Sequence, residues 1–409
     1  MRILHTSDWH LNDRLGSINR QKDIVERLKE IARYLKDHKV DVMVVSGDLF
    51  SQYTRLEDIR DAINDVNGVF KPFLLDGGTI IAISGNHDNE ALFEMMRTML
   101  DLASPIDPQN SGVRPRGRLY LVTQPTYLLL EDKTGQQVQF VLMPYPTSAR
   151  YLRDEDVKYK TLEERNSFLH AAMVKRLQLF KEKHVKAELP SVLVTHIHIR
   201  GAQTHTLYRI TEREDVVFDP IDIPINWAYV ACGHIHKPQA VSGASHVRYS
   251  GSIDRMDYGE VDDDKSVVLV DINNKGLEAE PLCLPLNATP IYRVEINNPD
   301  EEIPLLKDKY PNHLKALVSW RLQYKPSQHN KRDQYCRELD AIFPLCYRRE
   351  VIMEEDPDNL INKPLINRNI RDIRSTVENY LQLKLVNSEQ FLRDGIIEAA
   401  EQLLLEMEK

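Results

Sequence analysis

Five short apolar runs in this chain each end in a burst of Asp, Asn or His, and that repetition narrows what the chain can fold into. The runs are MRILHTSDWH, delivering Asp8 and His10; VDVMVVSGDLF, delivering Asp48; TIIAISGNHD, delivering Asn86, His87 and Asp88; SVLVTHIHIRG, delivering His196 and His198; and WAYVACGHIH, delivering His234 and His236. Apolar runs of this length bounded by Gly or polar residues read as buried strands. Side chains two apart on an extended segment point the same way, so Asp8 with His10 and His234 with His236 are expected to act as two-pronged clamps. Ligands bind outside the carboxyl ends of the strands in open α/β sheets. Five strands delivering such residues there build one site.

Imidazole, carboxylate and amide oxygen without thiolate suit manganese, iron or zinc, not a structural Cys-zinc site. Two such ions about 3.5–4 Å apart can clamp the attacking and leaving oxygens of an in-line phosphoryl displacement. Asp48 follows Gly47, and glycine lets the backbone approach closely, which suits a bridging carboxylate. Each piece alone is weak, since a lone apolar-flanked histidine is more often structural than a ligand. Order and strand context together carry the reading.

The set DxH, GD, GNHD, H and GHxH resembles the calcineurin-like metallophosphoesterase superfamily. MRILHTSDWHL, VSGDLF, AISGNHD, ACGHIHKPQ and HVRYSGSIDRMDYGE are similar to its SbcD branch, the nuclease subunits of bacterial SbcCD complexes. The likeness is close over the first two-thirds of the chain and one of layout beyond. It implies an α/β (α+β) fold, a two-sheet sandwich flanked by helices, with a small α+β capping domain and a C-terminal helical segment. It implies that Asp8, His10, Asp48 and His236 hold one ion and that Asp48, Asn86, His196 and His234 hold the other, Asp48 bridging. His87 is then the non-ligand histidine that protonates or steadies the leaving oxygen. His196 and His198 compete for one ligand position; His196 is preferred because it directly follows the apolar run and precedes Gly201 by five residues, as in the family. Two departures stand out. Ser51 occupies a place where relatives often carry a second catalytic histidine, and Asn12 one where Gly is usual, although Asn tolerates left-handed backbone better than most residues.

The activity implied by the resemblance is a two-metal, manganese-dependent DNA nuclease, a double-strand exonuclease and single-strand endonuclease in DNA repair, recombination and replication. The implied partners are DNA, an SbcC-like coiled-coil ABC-type ATPase and a second copy of the chain. A metallophosphoesterase acting on a non-DNA phosphate ester is the alternative on the same ligand set. An intact ligand set argues against a third reading, a scaffold without activity.

With 409 residues and 42% hydrophobic content, the chain can bury a full core and is long for one domain. No apolar run approaches the ~20 residues of a membrane span, so a cytoplasmic protein without membrane association is expected. Cys232, Cys283, Cys336 and Cys346 lack CxxC spacing, as reduced thiols would. A net charge of −9 does not exclude nucleic acid, because affinity depends on where Lys and Arg cluster. Candidate DNA contacts are Arg14 and Arg20, then Arg114, Arg116 and Arg118, then Lys325, Lys331 and Arg332, each set against an ordinary solvated charge.

Residues 20–37 read as an amphipathic helix with Ile24, Leu28, Ile31, Ala32 and Leu35 on one face, crossing between the first two strands. A second long helix is expected over 162–184, an exposed loop over 105–118 and a strand over 265–271. PLCLPLNATP reads as an extended linker. These signals divide the chain into 1–280, 290–352 (with a helix over 332–343) and 366–409, after an acidic connector at 354–358; the resemblance implies that the first is the nuclease domain and the second a capping domain that helps orient DNA. The last part holds two helical stripes, Ile370, Ile373, Val377, Tyr380 and Leu381, then Phe391, Leu392, Ile396, Ala399, Leu403 and Leu404. They read as helices docking in a partner's groove, with a hairpin folded on its own domain as the alternative.

Overall fold

Strand-forming runs that are apolar at every position, not at alternate ones, need cover on both faces, and the computed structural model supplies it. It describes residues 1–51, 55–105, 112–153, 158–204, 215–223, 226–241 and 243–354, with Leu381, Ile396 and Ala399. The rest of the two stripes expected in 366–409, the acidic segment beyond Glu354 and residues 106–111 lie outside the described residues.

Two mixed sheets face each other. The first is built from β1 (Arg2–Thr6), β2 (Val42–Val45), β3 (Thr79–Ile83) and β4 (Leu119–Val122). The second holds β5 (Thr126–Glu131), β6 (Gln137–Met143), β7 (Ser191–His196), β8 (Tyr229–Gly233), β9 (Gln239–Val241) and β10 (Ala244–Tyr249). The chain then returns to the first sheet with β11 (Ser266–Asn273) and β12 (Leu282–Pro285). Strand order is β12-β11-β1-β2-β3-β4 in one sheet and β9-β10-β8-β7-β6-β5 in the other. β1 to β4 run parallel, with β11 antiparallel on the outer edge of β1.

Alternate residues of one strand enter two different cores. Val42 and Val44 join Phe140, Val192, Val194 and Ala231 between the sheets. Met43 and Val45 turn outward and pack with the helix side chains Leu28 and Ile31. Helices α1 (Gln21–Asp37), α2 (Leu56–Leu75) and α3 (Glu90–Ala103) cover this face, α1 through Ile24, Leu28, Ile31 and Leu35. On the opposite flank α4 (Leu162–Lys183) sets Leu169, Met173 and Leu177 against Leu193 of β7. Leu193→Ala should therefore cost about 2–5 kcal/mol, the range for a truncated core leucine. Denaturant unfolding measures this, and a cost below about 1 kcal/mol would mean that the flank is not a packed core.

Both long helices expected from the sequence form, and α1 makes the crossover between parallel β1 and β2. The supposed linker does not stay free. Leu282–Pro285 adds to the sheet edge through pairing with Ser266–Leu269, and Thr289 donates from its N–H and hydroxyl to Asp254. Beyond it, β13 (Ile291–Ile296), β14 (Leu317–Tyr324) and β15 (Cys346–Met353) form a three-stranded sheet, accompanied by α5 (Arg332–Ile342). No helix among the described residues is long and apolar enough to cross a membrane.

Candidate active site

The ligand loops begin where the strands stop, and their backbone is unusual. β1 ends at Thr6 and β8 at Gly233, so Asp8, His10, His234 and His236 lie beyond the extended segments. The two-pronged clamp on a continuing strand is therefore corrected. Asp8, His10, Asp48 and His234 instead take positive φ values of 50°, 46°, 53° and 96°. Non-glycine residues held there carry strain of order 1–3 kcal/mol each, and such strain concentrates at functional sites. Main-chain bonds hold it: Asp8 donates to Gly47 O (3.0 Å), His10 to Asp48 O (3.1 Å) and Leu11 to Leu49 O (2.8 Å). Asp88 ties in the third loop, accepting from Phe50 N–H (2.9 Å) and Gly85 N–H (2.8 Å). Asn12 occupies the left-handed region expected of it, at φ 64°, and its side chain donates to Asp58 O.

Two glycines let the loops close. A Cβ on Gly47 would lie 2.2 Å from His196 Nδ1, and one on Gly85 would lie 2.0 Å from Asp48 Oδ1.

Five of the seven predicted ligands, Asp8, Asp48, His196, His234 and His236, have one polar atom engaged by the protein and another turned inward. Asp8 Oδ2 accepts from the Ser7 hydroxyl (2.6 Å), and Asp48 Oδ1 from His87 N–H (2.9 Å). His196 donates from Nδ1 to Ser46 O (2.7 Å). His234 donates from Nε2 to Asp215 (2.7 Å), and His236 from Nδ1 to Glu260 (2.7 Å). A carboxylate or carbonyl on one ring nitrogen fixes the tautomer and aims the other, the usual arrangement around a metal-binding histidine. The inward atoms converge. Asn86 Oδ1 lies 2.9 Å from both His196 Nε2 and His234 Nδ1, and His10 Nε2 lies 3.1 Å from His236 Nε2. Asp48 Oδ2 lies 3.3 Å from His196 Nε2 and 3.8 Å from His10 Nε2. By proximity Asp8, His10 and His236 make one metal-competent group and Asp8, Asp48 and His196 another, with donor atoms within 4.8 Å of one another in each. The nitrogen, carboxylate and amide donors fit divalent ions without any thiolate.

Burial opposes a charge on His196, but Asp48 outweighs it and pushes the imidazole up to about 9. His236 likewise rises to about 9, Glu260 outweighing burial. Raised pKa values keep both rings protonated below about 9, whereas an ion needs the neutral form. Ion binding near pH 7 should therefore expel protons, and affinity should climb as pH rises towards 9. Calorimetry in two buffers of different ionisation enthalpy reads the proton count, and a heat independent of buffer would sink this expectation.

Other expected residues fall differently. His198 lies beside Asp215, with Nδ1 3.3 Å from Oδ2, and not among the inward donors. Arg20 is corrected as a DNA contact. It is fully buried, donating to Asp23 and to Arg255 O, with its remaining arm 3.4 Å from Asp254. Arg116 and Arg118 sit at the amino end of β4, opposite the carboxyl ends where the ligands gather, and Arg118 bonds Ser104 O. Arg14 is exposed and bonds Ser17 O. The Ser51 hydroxyl donates to Asp13.

The sequence reading missed Asp215, Glu260 and Tyr145. Tyr145 donates to Asp215 Oδ1 at 3.2 Å, and its ring lies 6.0 Å from that of His196 and 5.7 Å from that of His234. Asp215 and Tyr145 lie outside every motif of the sequence reading, whereas Glu260 closes the HVRYSGSIDRMDYGE stretch, whose likeness to the family did not single it out as a partner of His236.

The family model for calcineurin-like phosphoesterase matches residues 1–238, more than half of the chain. The chain belongs to this family. Its members use divalent metals, and the chain is a metal-dependent phosphoesterase. Among relatives, the chain is 29% identical over 332 residues to the SbcD subunit of the SbcCD nuclease of Bacillus subtilis, covering 78% of this chain and 75% of that one. It is 26% identical to the SbcD subunit of the SbcCD nuclease of Escherichia coli, covering 70% and 69%. The corresponding SbcD protein of Staphylococcus epidermidis is 28% identical, covering 74% and 73%.

Proposed function

We propose that this phosphoesterase is a manganese-dependent DNA nuclease, cutting duplex ends as an exonuclease and single strands as an endonuclease. In this reading it works with an SbcC-like ATPase in DNA repair. The observation that carries the reading is the convergence of seven donor side chains, Asp8, His10, Asp48, Asn86, His196, His234 and His236, at the carboxyl ends of strands from both sheets. The likeness to SbcD nucleases over about three quarters of the chain supports the choice of DNA over other esters.

Asp8, His10, Asp48 and His236 would hold one ion, and Asp48, Asn86, His196 and His234 the other, with Asp48 shared. When bound, the pair neutralises phosphate charge and supplies an activated water. The chain's own part is to aim and to exclude. Asp215 and Glu260 aim two imidazoles, and the buried carboxylates keep the donor positions fixed. His87 is half-buried at the rim, its ring 5.0 Å from that of His10. Burial holds its pKa below the usual histidine value. At neutral pH it therefore offers a neutral N–H to the leaving oxygen.

The test is a panel of plasmid DNA, a generic phosphate ester and a cyclic nucleotide, each with manganese. Cleavage of DNA well above the other two is expected. Hydrolysis of the small esters alone would replace the nuclease reading with a phosphoesterase of other substrates.

A further inference from the structure

We propose that Lys265 is a positioning residue for His236, acting through Glu260; this rests on the reading of His236 as an ion ligand. Lys265 is only 1% exposed. Its ammonium finds three acceptors: Glu260 Oε2 at 2.7 Å, His236 O at 2.9 Å and Asp263 Oδ2 at 3.2 Å. An ammonium has three donors, so this set satisfies it completely. Two of the three contacts converge on one residue. Lys265 grips the carbonyl of His236 directly, and it grips the carboxylate whose other oxygen, Oε1, takes the His236 Nδ1 proton.

Glu260 is itself fully buried, and its Oε2 also accepts from the Ser252 hydroxyl and Met256 N–H, both at 3.1 Å. The lysine is the cation in this set, and it enters from the start of β11, a strand that supplies no ligand. It therefore locks a loop residue to the rigid sheet. A buried ion pair of this kind is weak evidence for stability, since well-packed apolar replacements are often as stable. Its geometric effect is specific. Both the main chain and the ring plane of His236 are set by one side chain, which leaves Nε2 aimed at His10 and Asp8. Outer contacts of this type typically change metal affinity 10–100-fold.

The experiment uses the full chain and manganese alone as the probe. Wild type, Lys265→Met and Leu269→Ala are titrated with Mn2+ by calorimetry and electron paramagnetic resonance, with Tm measured on the same samples. Leu269 is a core residue of β11, the strand that Lys265 immediately precedes, and controls for general destabilisation. Lys265→Met is expected to keep one ion at wild-type affinity and weaken the other 10–100-fold, so that an exchange-coupled spectrum gives way to a six-line mononuclear one. Leu269→Ala should lower Tm and keep the coupled pair. Two ions at wild-type affinity in Lys265→Met, or loss of both ions in step with Tm, would overturn the assignment. If Lys265→Met does not fold, Lys265→Gln, which removes the cation and keeps a polar side chain, decides by the same two outcomes. Wild-type protein that binds no manganese pair would instead overturn the ligand reading of His236 itself.

Discussion

Asp48→Ala is expected to abolish phosphodiester cleavage and to lower the bound manganese from two ions per chain. Asp48 is 1% exposed, and its Oδ2 lies within 4 Å of histidines from both proposed ion groups. Its Oδ1 holds the GNHD loop through His87 N–H. Truncation thus removes the shared carboxylate and leaves His10 and His196 facing each other across a gap in a buried site. Two ions with one shared ligand lose affinity together. Elemental analysis after gel filtration, beside a cleavage assay, checks both parts. Near-normal cutting with two ions bound would remove Asp48 from the bridging role.

His87→Ala should separate binding from chemistry. The contact between His87 and Asp48 runs through the backbone N–H, which alanine keeps. The ring stands at the rim and serves none of the inward donor contacts, so both ions and substrate affinity should survive. Cleavage should fall by roughly 10²–10⁴-fold, the usual range for a lost acid–base group. Single-turnover kinetics with metal analysis makes the test. Loss of an ion would make His87 a ligand and put the role of Asn86 in question.

The apolar runs were enough to locate the strands, because both-face burial favours consecutive apolar residues, as in VMVV of β2, IIAI of β3 and VLV of β7. The helical stripe of Ile24, Leu28, Ile31 and Leu35 was enough to place α1 on the outer face. The ligand types were equally legible: GNHD, GD and GHIH are local, and local order survives folding. What the sequence could not determine is how those ligands are aimed. Asp8 and His10 appeared to ride on a strand, but they stand in left-handed loop positions held by bonds to Gly47 and Asp48, residues far along the chain. Asp215 orients a histidine from a segment with no motif, Glu260 does so from a motif that gave no sign of that role, and Arg20, a surface charge by its sequence, is enclosed by Asp23, Asp254 and Arg255. The linker suggested by its prolines becomes a sheet edge because β11 leaves one side unpaired. Strand and helix follow from periodicity along the chain, whereas tautomers, orienting carboxylates and the burial of a charge depend on contacts between segments far apart, and only the tertiary structure decides those.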